Sequence, residues 1–233
     1  FLSYTYESGS VSKENIKKKI LQIFLIYSLI SILIFVILNI AEIRLFNSLN
    51  LSMTLISNGG FLPTNSLGQI FNEKNEIFLL AALFLSMINI FFLFNIISKK
   101  KLINYHQEDL YLIFFAFALS FILYFLLQDL NLKQILINVI SSLSNSGLTL
   151  SNSSENMTLL FLILCIIGGS IISNSSGIKL VRLYILLKTA SSEILKLVRP
   201  NNVFNNKIFF SDKKIDMQVV NLSFLIFISF LIS

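Results

Sequence analysis

The chain has 233 residues, 55% of them hydrophobic and only 13% charged, with a formal net charge of +6. A water-soluble domain carries about 25% charged residues, so this composition excludes an ordinary soluble globule and requires lipid over much of the surface. A single cysteine (Cys165) excludes a disulfide within the chain, and a single histidine (His106) outside any Cys/His cluster gives no basis for a metal site.

Residues 1–19 are polar and end in Lys17, Lys18 and Lys19. The uncharged run 20–40 can cross the roughly 30 Å hydrocarbon core as a helix, and Glu42 and Arg44 end it. A short half-apolar stretch, 46–57, leads into Asn58-Gly59-Gly60-Phe61 and Pro63. After Glu73-Lys74-Asn75-Glu76, a second spanning run covers 77–98 and closes at Lys99-Lys100-Lys101. The pattern then recurs. His106-Gln107-Glu108-Asp109 precedes a span over 110–127. Asp129 and Lys133 follow it, and a short stretch over 132–144 ends at Asn145-Ser146-Gly147-Leu148. An apolar run over 158–167 breaks at 168–177, which reads Gly168-Gly169-Ser170-Ile171-Ile172-Ser173-Asn174-Ser175-Ser176-Gly177, and resumes over 178–187. A basic polar stretch, 188–216, precedes a last apolar segment.

The chain thus contains an internal repeat of about 90 residues, with Gly60 and Gly147 at matching places. The expected organisation is an all-α polytopic membrane protein of repeated span–pore loop–span units of potassium-channel-like type. Residues 1–19 form a cytosolic linker, 20–101 one repeat, 102–190 a second with a broken second span, 191–216 a cytosolic loop, and 217–233 the truncated start of another. The chain begins at Phe1 and stops inside an apolar run, so it reads as a piece of a longer protein.

Charge sets the orientation. The basic residues cluster at 13–19, 99–101 and 188–214, whereas the glycine-turn sides hold only Arg44, Lys74 and Lys133 against Glu42, Glu73, Glu76, Asp129 and Glu155. Lys and Arg accumulate on cytoplasmic loops, which puts both glycine turns outside a cell membrane. This distribution explains the net charge by orientation and implies no nucleic-acid partner. Each short stretch would rise only roughly 18–20 Å as a helix. It is too short to cross, so it must enter and leave on one side as a re-entrant hairpin.

Such hairpins have a chemical use. A cation that leaves water needs oxygens in place of its hydration shell, and backbone carbonyls provide them without a fixed charge that would bind too tightly. Glycine permits the left-handed conformations that aim successive carbonyls at one axis. Irregular backbone at membrane depth persists only where protein or a water-filled cavity surrounds it. The negative C-terminal end of each short helix favours a cation.

These segments resemble the Trk/Ktr/HKT superfamily of potassium transporters, most closely the bacterial Trk membrane (pore) subunit. Residues 46–64, with Gly59-Gly60-Phe61, are similar to a pore loop ending T-x-G-G-F-S-T, and 141–148 to S-x-x-T-T-T-G-F. Residues 168–182 are similar to G-G-C-A-G-S-T-G-G-G-I-K-x-x-R, matching at Gly168, Gly169, Ser173, Gly177, Ile178, Lys179 and Arg182. Residues 186–200 are similar to L-L-x-K followed by E-L-x-x-L-x-H-P, and 7–11 to E-x-P-G-x-V.

The resemblance implies four repeats in a full protein, with the second, the third and the opening of the fourth present here. The selectivity filter would be the backbone of Asn58, Gly59, Gly60 and Phe61 together with Asn145, Ser146, Gly147 and Leu148. Ser170, Ile171, Ile172, Ser173, Asn174, Ser175, Ser176 and Gly177 would form an intramembrane gate loop. The implied partners are membrane lipid, a second copy in a homodimer, and a cytosolic nucleotide-binding regulatory subunit facing 188–216. No cofactor is implied; K+ is the transported ion.

The chain departs from the pattern at several positions. Ile172, Ser175 and Ser176 stand where the gate loop has glycine, Leu148 where the second pore loop has phenylalanine, and Asn58 and Asn145 where threonine precedes the filter. Lys179 and Arg182 read either as inner-interface anchors whose long stems reach the headgroups or as charges that limit ion passage. The expected function is K+ uptake across the cytoplasmic membrane through a carbonyl-lined filter, without enzymatic chemistry. The alternatives are a Na+-permeable or weakly selective transporter, or a non-conducting scaffold.

Overall fold

The computed structural model describes residues 13–64, 66–72, 74–89, 91–92, 107–126, 131–150, 155–170, 173–198 and 217–232. Residues 1–12, Glu73, Lys99 to Lys101, His106, Asp129, Ile171, Ile172 and all of 199–216 lie outside the described residues.

The long uncharged run, free of Gly and Pro, forms α1 (Lys13–Ile40). Ile26, Ile30, Ile34 and Leu38 recur every fourth position and are buried, while Phe24, Leu25, Ile32, Val36 and Ile40 on other faces are exposed. An apolar stripe on both the packed and the open side belongs to a helix whose solvent is lipid. Glu42 takes a left-handed conformation (φ 58), and the chain reverses there into α2 (Leu45–Ser57). The Ser48 hydroxyl donates to Asn39 Oδ1 at 3.2 Å and ties α2 to α1. A short 3-10 turn (Leu67–Gln69) leads to α3 (Glu76–Met87), and Asn75 Nδ2 reaches back to the Ala41 carbonyl at 2.8 Å. Helices α1, α2 and α3 pack against one another.

The second unit holds α4 (Gln107–Leu126), α5 (Leu132–Ser144) and α6 (Glu155–Ile167), with α5 against both neighbours. Helix α5 also packs on α3, which joins the two units, and every residue from Ile135 to Ser144 is buried. This short helix is therefore the centre of the described structure. Helix α7 (Leu180–Val198) follows the break and pairs with α8 (Met217–Ile232).

Two expectations need correction. The run 77–98 is not one continuous span: α3 stops at Met87, and Ile88 is extended (φ −81, ψ 163). Asn89 explains the stop. Its backbone N–H donates to Asp109 Oδ1 at 3.1 Å, and its own Oδ1 accepts from Phe91 N at 2.9 Å. The second correction is that 191–198, expected at the start of a cytosolic loop, are helical, because α7 runs through Val198.

Among the described residues, α1 and α4 are long and apolar enough to cross a membrane; α3, α5, α6 and α8 are apolar but shorter. Phe114, Phe121 and Phe125 project from α4 with Phe114 72% exposed, as a lipid-facing row does. An arginine near mid-membrane costs about 3 kcal/mol of insertion free energy. Phe114→Arg should therefore shift insertion by that amount in a translocon assay, while Phe114→Leu should leave it unchanged. Arginine tolerated without loss would mean that this face meets water.

Candidate functional site

Helices α2 and α5 are both 13 residues long and end alike. Each is followed by asparagine in the left-handed region, Asn58 (φ 53, ψ 36) and Asn145 (φ 62, ψ 23). Two residues later comes a left-handed glycine, Gly60 (φ 69) and Gly147 (φ 66). Asparagine is one of the few non-glycine residues that adopts this conformation readily, whereas a β-branched threonine resists it. The intervening Gly59 and Ser146 do not share the positive φ, so each turn alternates in handedness over three residues. That alternation removes the carbonyls of both turns from any helix or strand ladder. Among the described residues none donates to the carbonyls of 58–60 or 145–147.

The two turns meet. A Cβ placed on Gly60 would lie 2.8 Å from the carbonyl oxygen of Ser146 and 3.8 Å from its carbon, so the Ser146 carbonyl points at Gly60. The side chain of Ser146 faces the other way. Its Oγ lies 3.0 Å from Ser141 Oγ, accepts from Ser144 Oγ at 3.1 Å and donates to the Ser141 carbonyl at 3.3 Å. Serine hydroxyls behind the turn thus fix a carbonyl in front of it. In the first turn the anchor is Thr54, whose Oγ1 donates to the Phe61 carbonyl at 2.8 Å. The fourth residues differ: Phe61 is 80% exposed and Leu148 is 1% exposed within the core. Thr54→Val keeps the shape and leaves the Phe61 carbonyl unpaired. It should lower stability by about 1 kcal/mol, read as a lower melting temperature, with no change expected if that carbonyl were free to reach water.

The described part of the loop, 168–170 and 173–177, is bonded to the last turn of α2 and to the second glycine turn. Its base is closed by Ile178 N to Ile166 O and Lys179 N to Ile167 O, both 2.9 Å. Asn174 Nδ2 donates to the Ile56 carbonyl in the last turn of α2 at 2.8 Å. Asn145 Nδ2 donates to Ser176 Oγ at 2.7 Å and to the Cys165 carbonyl at 3.0 Å. Ser170 N also reaches the Met87 carbonyl, where α3 breaks, at 3.4 Å.

Lys179 is 7% exposed and does not snorkel; the anchor reading is corrected for it. Its ammonium turns into the loop, donating to the Ser175 carbonyl, to Ser175 Oγ at 3.0 Å and to Ser173 Oγ at 3.3 Å. All three partners are neutral oxygens. Arg182 is only partly buried, and its backbone N–H donates to the Lys179 carbonyl at 3.0 Å in the first turn of α7.

Some residues of this region carry no sequence signal that singles them out. Asn138, in the middle of α5, is 2% exposed, and neither its Oδ1 nor its Nδ2 has a partner. The Asn58 amide, Asn145 Oδ1 and Ser170 Oγ are buried and unpaired as well. Asn89 and Asp109 were hidden inside apolar or polar runs. The available clue was a polar residue, Asn89, interrupting a span. Among the described residues no group of three or more His, Cys, Asp or Glu could hold a metal ion, and Cys165 is a free thiol.

No family model matches the chain. It is similar to the uncharacterized cation transporter MJ1485 of Methanocaldococcus jannaschii, with 23% identity over 219 residues, covering 93% of this chain and 45% of that protein. Its fold is similar to the crystal structure of the potassium transporter TrkH from Vibrio parahaemolyticus, with a TM-score of 0.80 and 19% identity, covering 97% of this chain and 51% of the other. The chain therefore spans about half the length of the relatives it matches. Both relatives are transporters. Over almost its whole length the chain has the fold of the TrkH potassium transporter.

Proposed function

We propose that this chain forms part of a TrkH-type transporter that moves a monovalent cation, K+, across a cell membrane down its electrochemical gradient. The observation that carries the proposal is the approach of Gly60 to the Ser146 carbonyl, with the carbonyls of both turns unbonded. Backbone carbonyls that no neighbouring donor occupies are open to a cation, and a desolvated alkali ion is a species that such oxygens coordinate. In this reading 58–61 and 145–148 are selectivity-filter backbone. Helices α2 and α5 aim their negative ends at the ion. The loop 168–177 is the gate.

The turns face outside and the basic segments 13–19 and 188–216 face the cytosol, by the charge distribution of the chain. We assign 188–216 as the surface that meets a cytosolic nucleotide-binding regulatory subunit, and homodimerisation as the state of the whole protein.

The test is Rb+ uptake by the full-length chain in a host lacking its own K+ uptake, with K+ or Na+ as competitor. Uptake suppressed by K+ and not by Na+ is expected. Suppression by Na+ alone would assign a Na+ pathway, and no uptake with protein present in the membrane would leave a scaffold.

A further inference from the structure

We infer that Asn174, Ser175 and Ser176 are positioning residues that latch the segment 173–177 onto the second glycine turn and onto the helix that carries the first. The inference rests on the transport reading above. Ser176 Oγ accepts from Asn145 Nδ2 at 2.7 Å, which joins the loop to the second turn. Asn174 Nδ2 donates to the Ile56 carbonyl at 2.8 Å, which joins it to the helix that carries the first. Ser175 Oγ holds the loop together from inside. It accepts from Gly169 N at 3.0 Å and from Lys179 Nζ at 3.0 Å, and lies 2.6 Å from Ser173 Oγ.

Two of the departures from the family pattern are therefore partners of each other. Asn145 stands where the pattern has threonine and Ser176 where it has glycine, and the two side chains meet. A glycine at 175 or 176 has no side chain and would leave the Asn145 amide, the Gly169 N–H and the Lys179 ammonium each short of an acceptor. The loop of this chain is consequently more tightly closed against the turns than a glycine loop would be. It opens only when side-chain bonds to both repeats break.

Each such bond is worth a factor of roughly two to ten in the equilibrium between latched and released loop. In the full-length chain, Ser176→Ala should raise Rb+ uptake by about fivefold, and Asn174→Ala should do the same. Ser176→Thr, which keeps the hydroxyl, should restore the original rate. Hydrogen exchange of the peptide 168–179 should accelerate by a similar factor in both alanine variants and not in Ser176→Thr. The rescue and the exchange separate a latch from general damage, and Asn174→Ala serves if Ser176→Ala does not reach the membrane. Uptake or exchange unchanged in both alanine variants, or uptake lowered, overturns the latch alone. A parent chain that shows no Rb+ uptake overturns the transport reading, and the gating role falls with it.

Discussion

Gly60→Ala should depress Rb+ uptake by at least about tenfold, whereas Gly147→Ala should depress it only a few-fold. Both glycines are left-handed, at φ 69 and φ 66, so both substitutions carry a backbone cost of about 1–2 kcal/mol. The surroundings separate them. The new Cβ at 60 would sit 2.8 Å from the Ser146 carbonyl oxygen, while at 147 nothing lies within 4 Å. A backbone oxygen cannot swing aside as a side chain can, so overpacking adds about 1–3 kcal/mol at Gly60 alone. The methyl group also intrudes where a cation would bind. Uptake normalised to protein in the membrane measures the difference. Equal losses would show that the two turns do not face each other, and unchanged uptake in both would remove them from the ion's path.

Gly168→Ala should lower the stability of the chain by about 2–5 kcal/mol, and Gly68→Ala by none. At Gly168 the conformation is left-handed (φ 71), and a Cβ would lie 2.2 Å from the Ser176 carbonyl and 3.3 Å from Gly177 Cα. The loop closes back on its own start at that point, and only hydrogen fits. Gly68 has no atom within 4 Å of its Cβ position, so alanine there removes unfolded-state freedom at no steric cost. Thermal unfolding of the detergent-purified protein should show a fall of roughly 5–20 °C for Gly168→Ala and no fall for Gly68→Ala. A Gly168→Ala protein as stable as its parent would mean that the loop is not closed as described.

Much of the fold is legible in the residues, and the reasons are local. Helices α2 and α5 begin and end where composition changes, at Leu45–Ser57 and Leu132–Ser144. Each ends at an asparagine followed by a glycine two residues on, and such residues stop helices by taking the left-handed conformation. The break at 168–177 is equally plain, because Gly168, Gly169 and Gly177 cut an apolar run.

What was not legible is set by contacts distant in sequence. The stop at Met87 has no glycine or proline to mark it. Asp109, twenty residues away, and the loop residue Ser170 hold it open instead. The end of α7 misled for another reason. Polarity suggested a loop from 191, yet the residues up to Val198 are all compatible with helix, and the first breaker is Pro200. The inward turn of Lys179 could not be read because a lysine at the end of a span serves equally to reach the headgroups. Only the acceptors Ser173 and Ser175, at positions where the resembled pattern has serine and glycine, turn it inward. The pairing of Asn145 with Ser176 is likewise visible only in three dimensions, since 31 positions separate them.

The decisive measurement is a structure of the full-length protein soaked in Rb+, with the ion located by its anomalous scattering. Density is expected between the two glycine turns, coordinated by main-chain carbonyls of 58–60 and 145–147 together. Rb+ bound elsewhere, or coordinated by side chains with those carbonyls turned away, would contradict a pathway lined by backbone oxygen.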